Sequence, residues 1–337
     1  MPKSRPTIRD VARQAGVSHQ TVSRVINGRD DVLPETRAHV EAAIEKLGYH
    51  PNAIARSMAR GQTHTLACIS PNLTDYTFAS VIEGAETEAR QNGYFMLSSS
   101  ATDPDAFREL LDELIGHRRV DGLIVINPYS DERYKYIPRN FPVVFVGARS
   151  HGENISSVCL DDEKVAYEAT RHLISLGHKN IAMVTGPMEE DCCQDRTDGF
   201  RRALQEAGFD FEETMIIEGD WTATSGQDAL LSFVELGCVP TAIFAQNDRM
   251  ALGVLRAARD VNLKIPSQLA VIGVDDMPLS SYFDPPLTTM QQDMPRIGQE
   301  AIRILLDIIQ NKITETREIR LPASLIVRQS TSKKGGE

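Results

Sequence analysis

The stretch GVSHQTVSRVING, residues 16–28, carries side chains that can read base edges in DNA. His19, Gln20 and Arg24 fall on the solvent side of a short predicted helix, together with Thr21. Glutamine can form bidentate hydrogen bonds with adenine, and arginine can form them with guanine. An α-helix fits the major groove, where these base edges are exposed. The pattern therefore favours a sequence-reading helix. A helical hairpin whose polar side chains only face water is the alternative.

Local signals place this helix second in a helix-turn-helix. Thr7 and Asp10 form a capping pair that opens the first helix, and Gly16 ends it because glycine accepts the left-handed conformation. Ser18 caps the second helix, which we expect to run through about Ile26. Two short helices across a glycine-containing turn are typical of a DNA-binding head.

A third helix is predicted to brace the first two. It begins at Pro34, where the missing N–H removes no helical hydrogen bond, and it ends at Gly48. Its apolar residues form one inward stripe. Leu33 stands at the cap position, and because its side chain cannot accept a hydrogen bond, we expect a helix start that can fray.

Charge is divided unevenly along the chain. The net charge is −11, yet residues 1–62 carry ten Lys and Arg against six Asp and Glu, a balance of +4. The rest of the chain therefore carries −15. A basic head on an acidic body is typical of a protein whose head meets phosphates while its body is kept away from them. The length, 337 residues, favours two or three domains.

Residues 7–61 resemble the DNA-binding head of the lactose/galactose repressor family. The resemblance runs from TIRDVARQAGVSHQTVSRVING through LPETRAHVEAAIEKLGYHPNAIARSMARG. It implies that His19, Gln20 and Arg24 read an operator. It also implies contacts with DNA phosphates at a second set of positions: Thr7, Ser18, Thr21, Ser23 and Asn27.

PNAIARSMARG, residues 51–61, resembles the hinge helix of that family, which folds on DNA and enters the minor groove. Asn52, Ala55 and Met58 fall at helical spacing on one face, so we expect them to contact DNA. So short a helix is unstable alone because nucleation is costly, which predicts ordering on DNA. In that family a side chain, most often leucine, wedges between base pairs and kinks the DNA duplex. Met58 stands at this position, and because methionine is flexible, the strength of the kink is left open. An ordinary linker is the alternative.

From Thr65 onward, near-continuous apolar runs such as TLACIS, GLIVIN, NIAMVTG and LAVIGV alternate with amphipathic helical segments. This pattern predicts βαβ units with parallel sheets. The fold class we expect is α/β: a helix-turn-helix head followed by two doubly wound parallel-sheet lobes, like those of periplasmic binding proteins. The expected ranges are 1–50 for the head, 51–62 for the hinge and 63–337 for the body, with lobe 1 near 63–161 and 293–320 and lobe 2 near 162–292 and 321–331.

Polar side chains lie near the ends of several predicted strands, where doubly wound lobes bind their ligands. Arg196 offers a planar fork of donors, Asn247 a donor and an acceptor, and Asp275 an acceptor for paired hydroxyls. Such groups suit a neutral polar ligand. An interdomain ion pair for Arg196 and a strand-end turn for Asp275 are the structural alternatives. Asn72 and Asn127 also follow strands and are weaker candidates.

The body also resembles the regulatory half of the same family along its length. Matching segments are LDDEKVAYEATRHLISLGHKNIAMVTG, DRTDGFRRALQEAG, QNDRMALGVLRAA and VIGVDDMPLSSYFDPPLTTMQQD. The resemblance implies that Arg196, Asn247 and Asp275 contact an effector. It adds three residues to this set: Phe78, Trp221 and Gln292. The only tryptophan is as consistent with a place in the core as with a plate for a sugar ring.

No sequence motif indicates catalysis. The nucleophile-elbow, phosphate-loop and zinc-protease patterns are absent. The five cysteines are irregularly spaced, without a metal-ligand pattern, and we expect free thiols. His172 and His178 bracket LISLG at a spacing that favours structural roles. We therefore expect a binding protein with neither a metal nor a cofactor.

The sequence as a whole predicts a ligand-responsive transcription regulator. We expect a repressor that binds a near-palindromic operator as a homodimer and is released or engaged by a small neutral effector of the sugar type. The start, MPKSRPTIRD, has no apolar signal core and the chain no run of about 18 apolar residues, so we expect a cytoplasmic protein. Tetrameric members of the family that the chain resembles end in a leucine heptad, whereas this sequence ends in the short polar RQSTSKKGGE, so the resemblance implies a dimer. The alternatives are a solute-binding protein with no DNA role and a DNA regulator controlled by a partner protein.

Overall fold

The computed structural model describes residues 6–50, 62–127, 132–152, 154–209, 215–313 and 315–332. The predicted hinge contacts Asn52, Ala55 and Met58 lie outside the described residues. The chain divides into two units, Met1–His64 and Thr65–Glu337. The first is a helical head and the second an α/β body, and each is described by itself.

The head is built from α1 (Ile8–Ala15), α2 (His19–Ile26) and α3 (Pro34–Leu47). Gly16 ends α1 in the left-handed conformation, with φ of 68°, which turns the chain into α2. Helix α3 has no side-chain cap from Leu33, yet its first turn is helical from Pro34 onward. Small apolar side chains from all three helices form its core: Val11, Ala12, Val22, Val25, Val40 and Ala43.

Lobe 1 of the body is a parallel sheet covered on both faces. Its strands are β1 (Thr65–Ser70), β2 (Phe95–Ser100), β3 (Gly122–Ile126), β4 (Val143–Val146), β5 (Ser156–Leu160) and β11 (Glu318–Leu321). Its helices are α4 (Tyr76–Gln91), α5 (Pro104–Leu111) and α10 (Met294–Ile309), with a π-helical turn Asp112–Gly116 and a 3-10 turn Arg133–Tyr136. The strand order is β11-β5-β4-β3-β1-β2. Helices α4 and α10 bury one face of the sheet and α5 the other, so the strands read as continuous apolar runs.

Lobe 2 repeats this arrangement. Its strands are β6 (Ile181–Thr185), β7 (Ile216–Glu218), β8 (Ala242–Ala245), β9 (Ala270–Asp275), β10 (Thr288–Gln291) and β12 (Ser324–Ile326). Its helices are α6 (Asp162–Ser175), α7 (Asp191–Glu206), α8 (Ala223–Glu235) and α9 (Asp248–Asp260), with a 3-10 turn Ser280–Tyr282. The strand order is β12-β10-β9-β8-β6-β7, and β10 pairs with β12 in the antiparallel sense.

The strand order creates a crevice in each lobe. In lobe 1 the neighbours of β1 are β2 and β3, and in lobe 2 the neighbours of β6 are β7 and β8. The chain leaves β1 towards β2 and leaves β3 towards β4, in opposite directions, and it leaves β6 and β8 in the same way. These reversals open a gap at the carboxyl ends of the adjacent strands. The chain crosses between the lobes after β5, after β10 and between β11 and β12. The predicted fold, a helix-turn-helix head with two doubly wound lobes, is confirmed.

Polar caps fix the helices that begin at these crevices. Asp75 caps α4 by accepting from the backbone N–H groups of Thr77 and Phe78. Asn247 caps α9 by accepting from the N–H of Met250 at 2.7 Å. Because a cap residue sits at the junction of strand and helix, these side chains stand at the edge where ligands bind.

Candidate DNA-reading helix and ligand cavity

Helix α2 exposes the side chains predicted to contact bases. Ser18 accepts a hydrogen bond from the backbone N–H of Thr21 at 3.1 Å, which fixes the N-terminus of the helix. His19, Gln20 and Arg24 are exposed, while the valines of α2 are buried in the head. The helix therefore holds the three side chains clear of the core on a short rigid support.

The predicted phosphate contacts also belong to helix caps or lie beside them. Thr7 Oγ1 donates to the carboxylate in the first turn of α1 at 2.7 Å. The hydroxyls of Ser18 and Thr21 lie 2.9 Å apart, and Asn27 Nδ2 donates to the backbone oxygen of Ser23 at 2.8 Å. Capping alone accounts for these residue types, so their contacts with DNA stay a prediction.

A cavity of about 370 Å³ lies between the two lobes of the body, where the strand ends of both sheets meet. Asn72 and Asn127 follow β1 and β3 and contribute to the lobe 1 wall. The cavity gathers residues from distant parts of the chain. All six side chains predicted to contact an effector line it: Phe78, Arg196, Trp221, Asn247, Asp275 and Gln292.

Arg196 is held by a buried ion pair. Its Nε donates to Asp162 Oδ1 at 2.7 Å, and its Nη1 donates to the backbone oxygen of Gln246. Burial raises the pKa of Asp162 to about 6, and the guanidinium acts in the opposite direction. Arg196 therefore lies in the cavity wall and also forms an ion pair, but the expected alternative of an interdomain pair is wrong, because both partners belong to lobe 2.

Asp275 and Gln292 form a second polar pair. Asp275 ends β9 with φ of 122°, a conformation that is rare outside glycine. Gln292 Nε2 donates to Asp275 Oδ1 at 2.7 Å. Burial raises the pKa of Asp275 well above its usual range, and the nearby carboxylate of Asp248 adds to the effect. The pair gives the cavity an acceptor and an amide in fixed positions.

The Trp221 side chain contacts both the apolar core of lobe 2 and the cavity. Its ring packs against the apolar core of lobe 2 and also lines the cavity. Its Nε1 donates to Glu190 Oε1 at 3.0 Å, and its backbone oxygen accepts from Asn247 Nδ2 at 3.1 Å. A Cβ atom at Gly186 would lie 2.3 Å from the ring, so glycine at this position allows the close approach. The guanidinium carbon of Arg196 lies 5.9 Å from the ring centroid.

An ion pair absent from the sequence interpretation joins the lobes across the cavity. Arg249 Nη2 bonds to Asp75 Oδ2, although the two residues are 174 positions apart. Asp75 belongs to the start of α4 in lobe 1 and Arg249 to the first turn of α9 in lobe 2. The only signals in the sequence were two helix starts, which do not show that the two side chains meet.

Two more carboxylates of the cavity were missed. Glu190 Oε2 accepts from Asn127 Nδ2 at 3.4 Å, a second contact between the lobes, and burial raises the pKa of Glu190. Asp220 Oδ1 accepts from the hydroxyl of Thr222 at 2.6 Å. Hydrogen bonds from Thr222 and Ser225 lower the pKa of Asp220, which keeps it ionised at neutral pH.

A charged cluster near the start of α7 adds further contacts between the lobes. His151 Nε2 lies 2.9 Å from both carboxylate oxygens of Asp191. Arg149, also from lobe 1, bonds to Asp195. The observed arrangement of the lobes is therefore fixed by polar contacts at the cavity and beside it.

The rings of the two histidines predicted to be structural each lie beside a threonine hydroxyl. His172 Nε2 lies 2.9 Å from Thr331 Oγ1, and His178 Nδ1 lies 3.1 Å from Thr241 Oγ1. Burial lowers the pKa of both rings. Within the described ranges, no group of His, Cys, Asp or Glu side chains is placed to hold a metal ion. No helix in the same ranges is long and apolar enough to cross a membrane.

Comparison with known proteins matches both parts of the chain. The family "Bacterial regulatory proteins, lacI family" matches residues 7–52, and "Periplasmic binding protein-like domain" matches residues 170–331. Catabolite control protein A of Priestia megaterium is 39% identical over 329 residues, which cover 96% of this chain and 99% of the relative. The HTH-type transcriptional repressor PurR of Proteus mirabilis (strain HI4320) is 35% identical, with 97% of each chain covered.

Solved structures extend the match over head and body together. A Lac repressor dimer bound to operator and the anti-inducer ONPF has a TM-score of 0.88 at 32% identity, covering 97% of this chain and 99% of that one. A complex of the transcriptional regulator CelR with cellobiose has a TM-score of 0.75 at 32% identity, covering 97% and 100%. The chain therefore belongs to the LacI family of bacterial regulatory proteins, and it is a DNA-binding transcription regulator rather than an enzyme.

Proposed function

We propose that this regulator is a cytoplasmic repressor that binds a near-palindromic operator as a homodimer, and that a small polyhydroxylated effector in the cavity between the lobes changes its affinity for DNA. One observation carries the proposal. The same chain holds a helix with His19, Gln20 and Arg24 exposed and a polar cavity whose walls come from two lobes.

The walls of the cavity suit a sugar-like ligand. Arg196 and Asn247 offer donors, and Asp275 offers an acceptor for hydroxyl groups. The rings of Trp221 and Phe78 offer apolar surfaces for the C–H face of a sugar ring. The relative solved with cellobiose supports the same class of ligand, since its structure covers 97% of this chain.

Contacts between the lobes explain how a ligand could act at a distance. A ligand in the cavity touches both lobes, so its affinity depends on how they are arranged. The Asp75–Arg249 pair and the Glu190–Asn127 contact must adjust when the lobes move. We infer that this movement alters the geometry of the dimer and so the order of residues 51–62, which join the head to the body.

Exposed apolar side chains support a dimer formed by the body. β2 is an edge strand of lobe 1, and its Phe95 is 78% exposed. In lobe 2, Leu279 and Tyr282 are exposed, Tyr282 by 83%. Large apolar side chains on an unpaired edge and on a turn are typical of surfaces that a second subunit covers. The Lac repressor relative was solved as a dimer.

Selection of binding sites from random duplexes tests the DNA part of the proposal. Full-length protein should enrich one near-palindromic sequence, and mobility shifts on that duplex should weaken steeply with salt because the heads neutralise several phosphates. A thermal-shift screen over sugars and nucleosides, repeated with Arg196→Ala, tests the cavity. Failure to enrich any sequence, with or without ligands, would contradict the proposed function.

Sedimentation of the full chain tests the dimer. Phe95→Glu should shift the population towards monomer, because it places a charge in the proposed interface. Leu236→Glu is the matched control, since Leu236 is 72% exposed at the end of α8 and lies outside the proposed interface. An equal effect of both substitutions, or no effect of either, would contradict this interface.

A further inference from the structure

We propose that the cavity between the lobes selects ligands that carry a positive charge, so that its effector is a polyhydroxylated amine of the amino-sugar class rather than a neutral, phosphorylated or acidic sugar. This inference rests on the proposed function, because it specifies the ligand of the same site. It replaces the neutral ligand that the sequence predicts with a positively charged one.

The charges that line the cavity do not balance. Among the described residues in its walls, acidic side chains outnumber basic ones by five to two. The basic residues are Arg196 and Arg249, and lysine is absent from these described walls. The five acidic residues are Asp75, Asp162, Glu190, Asp220 and Asp275.

Both guanidinium groups already have a carboxylate partner. Arg196 pairs with Asp162, and both side chains are buried. Arg249 pairs with Asp75 across the lobes. Phosphate and carboxylate ligands are held most strongly by an arginine fork that can give them both its charge and its donors. Here each fork is neutralised by protein, so its remaining N–H groups can serve hydroxyls but do not offset a ligand anion.

The other three carboxylates have uncharged hydrogen-bond donors. Glu190 accepts from Trp221 Nε1, Asp220 from the hydroxyl of Thr222, and Asp275 from Gln292 Nε2. An amide, an indole or a hydroxyl stabilises a carboxylate without cancelling its charge. Apart from the two ion pairs, the described walls carry three carboxyl groups, a formal charge of −3 when all three are ionised, and Asp220 stays ionised at neutral pH because hydrogen bonds lower its pKa.

The pKa values of two of these carboxyl groups also favour a positively charged ligand. Burial raises the pKa of Glu190 and of Asp275 although Arg196 acts in the opposite direction, so the cost of burial exceeds the stabilisation that the ionised carboxylates receive from this guanidinium. A ligand ammonium group supplies further positive charge beside buried carboxylates, where ionic interactions are stronger than in bulk water. A ligand phosphate would add like charge at the same place.

The single tryptophan allows the charge of the cavity to be measured without knowing the ligand. Trp221 is the only tryptophan in the chain and lies in the cavity wall, so its fluorescence reports from this site alone. We expect caesium to quench Trp221 more efficiently, relative to iodide, than it quenches free N-acetyltryptophanamide at the same ionic strength. Glu190→Gln should lower that preference. A caesium-to-iodide quenching ratio that is equal to or below the ratio for free N-acetyltryptophanamide would overturn the proposal.

Removing the carboxylate partner of Arg249 should increase the affinity of the cavity for anions. Asp75→Asn removes the partner of Arg249 and keeps a side chain that caps helix α4 well. We expect iodide quenching and binding of inorganic phosphate to rise in this variant. Asp103→Asn makes the same change at the cap of α5, outside the cavity walls, and should alter neither. Identical behaviour of the two variants would count against the proposal.

Matched sugars complete the test on the full-length protein. For the gluco, galacto and manno series, the hexose, its 2-amino derivative and its 6-phosphate are titrated against Trp221 fluorescence. In at least one series the amine should bind about tenfold or more tightly than the hexose, a difference of about 1.4 kcal/mol, with the phosphate weakest. Phosphate binding equal to that of the hexose, or amines that never exceed it, would overturn the proposal. Operator binding measured on the same preparation separates the two proposals. If DNA binding is intact but amines are not preferred, only the proposed ligand class is refuted. If amines are preferred but DNA is not bound, only the proposed function is refuted.

Discussion

The Nε atom of Arg196 lies 2.7 Å from the Oδ1 atom of Asp162, and both side chains are buried in the wall of the cavity. The arginine expected to bind an effector is therefore also the partner of a buried carboxylate. A ligand that contacts Arg196 acts on an ion pair and not on a free cation. This relationship links ligand affinity to the stability of lobe 2.

Removing the arginine should destabilise the body strongly. Arg196→Met leaves Asp162 buried without its partner, and breaking such a pair costs about 3–5 kcal/mol of unfolding free energy near neutral pH. Urea denaturation followed by Trp221 fluorescence measures the change. Arg202→Met is the matched control, because Arg202 lies on the same helix α7 but pairs with Glu163 at the surface, where a pair contributes about 1 kcal/mol or less. Equal losses in both variants would refute the buried-pair account.

The raised pKa of Asp162 predicts a pH dependence of stability. Its value in the folded protein is about 6, against a reference of 3.8, so the folded state binds more protons in that window. The contribution of this group to stability is therefore present below pH 3.8 and is lost as pH rises through about 6. Asp162→Asn cannot titrate, so the difference in unfolding free energy between wild type and variant should vary within this window and be flat above it. A difference that is flat throughout would refute the assignment.

Two side chains of α2 should carry DNA sequence preference. Gln20→Ala and Arg24→Ala should each reduce discrimination at one operator position by about 1–3 kcal/mol. Arg24 Nη1 lies 3.5 Å from Asp31 Oδ2, and both side chains are exposed, so this weak pair leaves the arginine available to a base. Arg13→Ala removes an exposed positive charge from α1 and should weaken binding to all sequences alike, because attraction to phosphates does not depend on sequence. Mobility shifts on single-base operator variants distinguish these outcomes, and unchanged discrimination in both α2 variants would contradict the recognition role.

Gly186 should control the position of the aromatic wall. Gly186→Val places atoms where the Trp221 ring now lies, since a Cβ alone would come within 2.3 Å of it. We expect a shift in the emission of Trp221 and loss of ligand binding, while operator binding by the head persists. Trp221→Phe, which keeps a ring but loses the bond to Glu190, should have a smaller effect on ligand affinity. Unchanged emission in Gly186→Val would show that the ring is not fixed by this contact.

Much of the fold could be predicted because it depends on local signals. Gly16 and Ser18 set the turn before α2 through conformation and capping, both of which depend on residues close in sequence. The strands of the body are buried on both faces and so read as apolar runs. Arg196, Asn247 and Asp275 stand near strand ends or helix starts, and parallel topology brings such positions to one edge.

The charge relationships of the cavity could not be predicted. Asp75 and Arg249 meet because two lobes face each other across 174 positions of chain, which no local pattern encodes. Glu190 precedes α7 and gives no sign in the sequence that it accepts from Trp221. Both relationships depend on tertiary placement, and they decide which charge the cavity favours.

The central claim is that a ligand in the cavity between the lobes controls DNA binding by the head, and reciprocal affinity measurements test it most directly. Operator affinity is measured with and without saturating ligand, and ligand affinity is measured with and without saturating operator. We expect the two factors to be equal and to differ from one, because coupling between two binding sites is reciprocal. An operator affinity that does not change when Trp221 fluorescence shows the cavity to be occupied would contradict it.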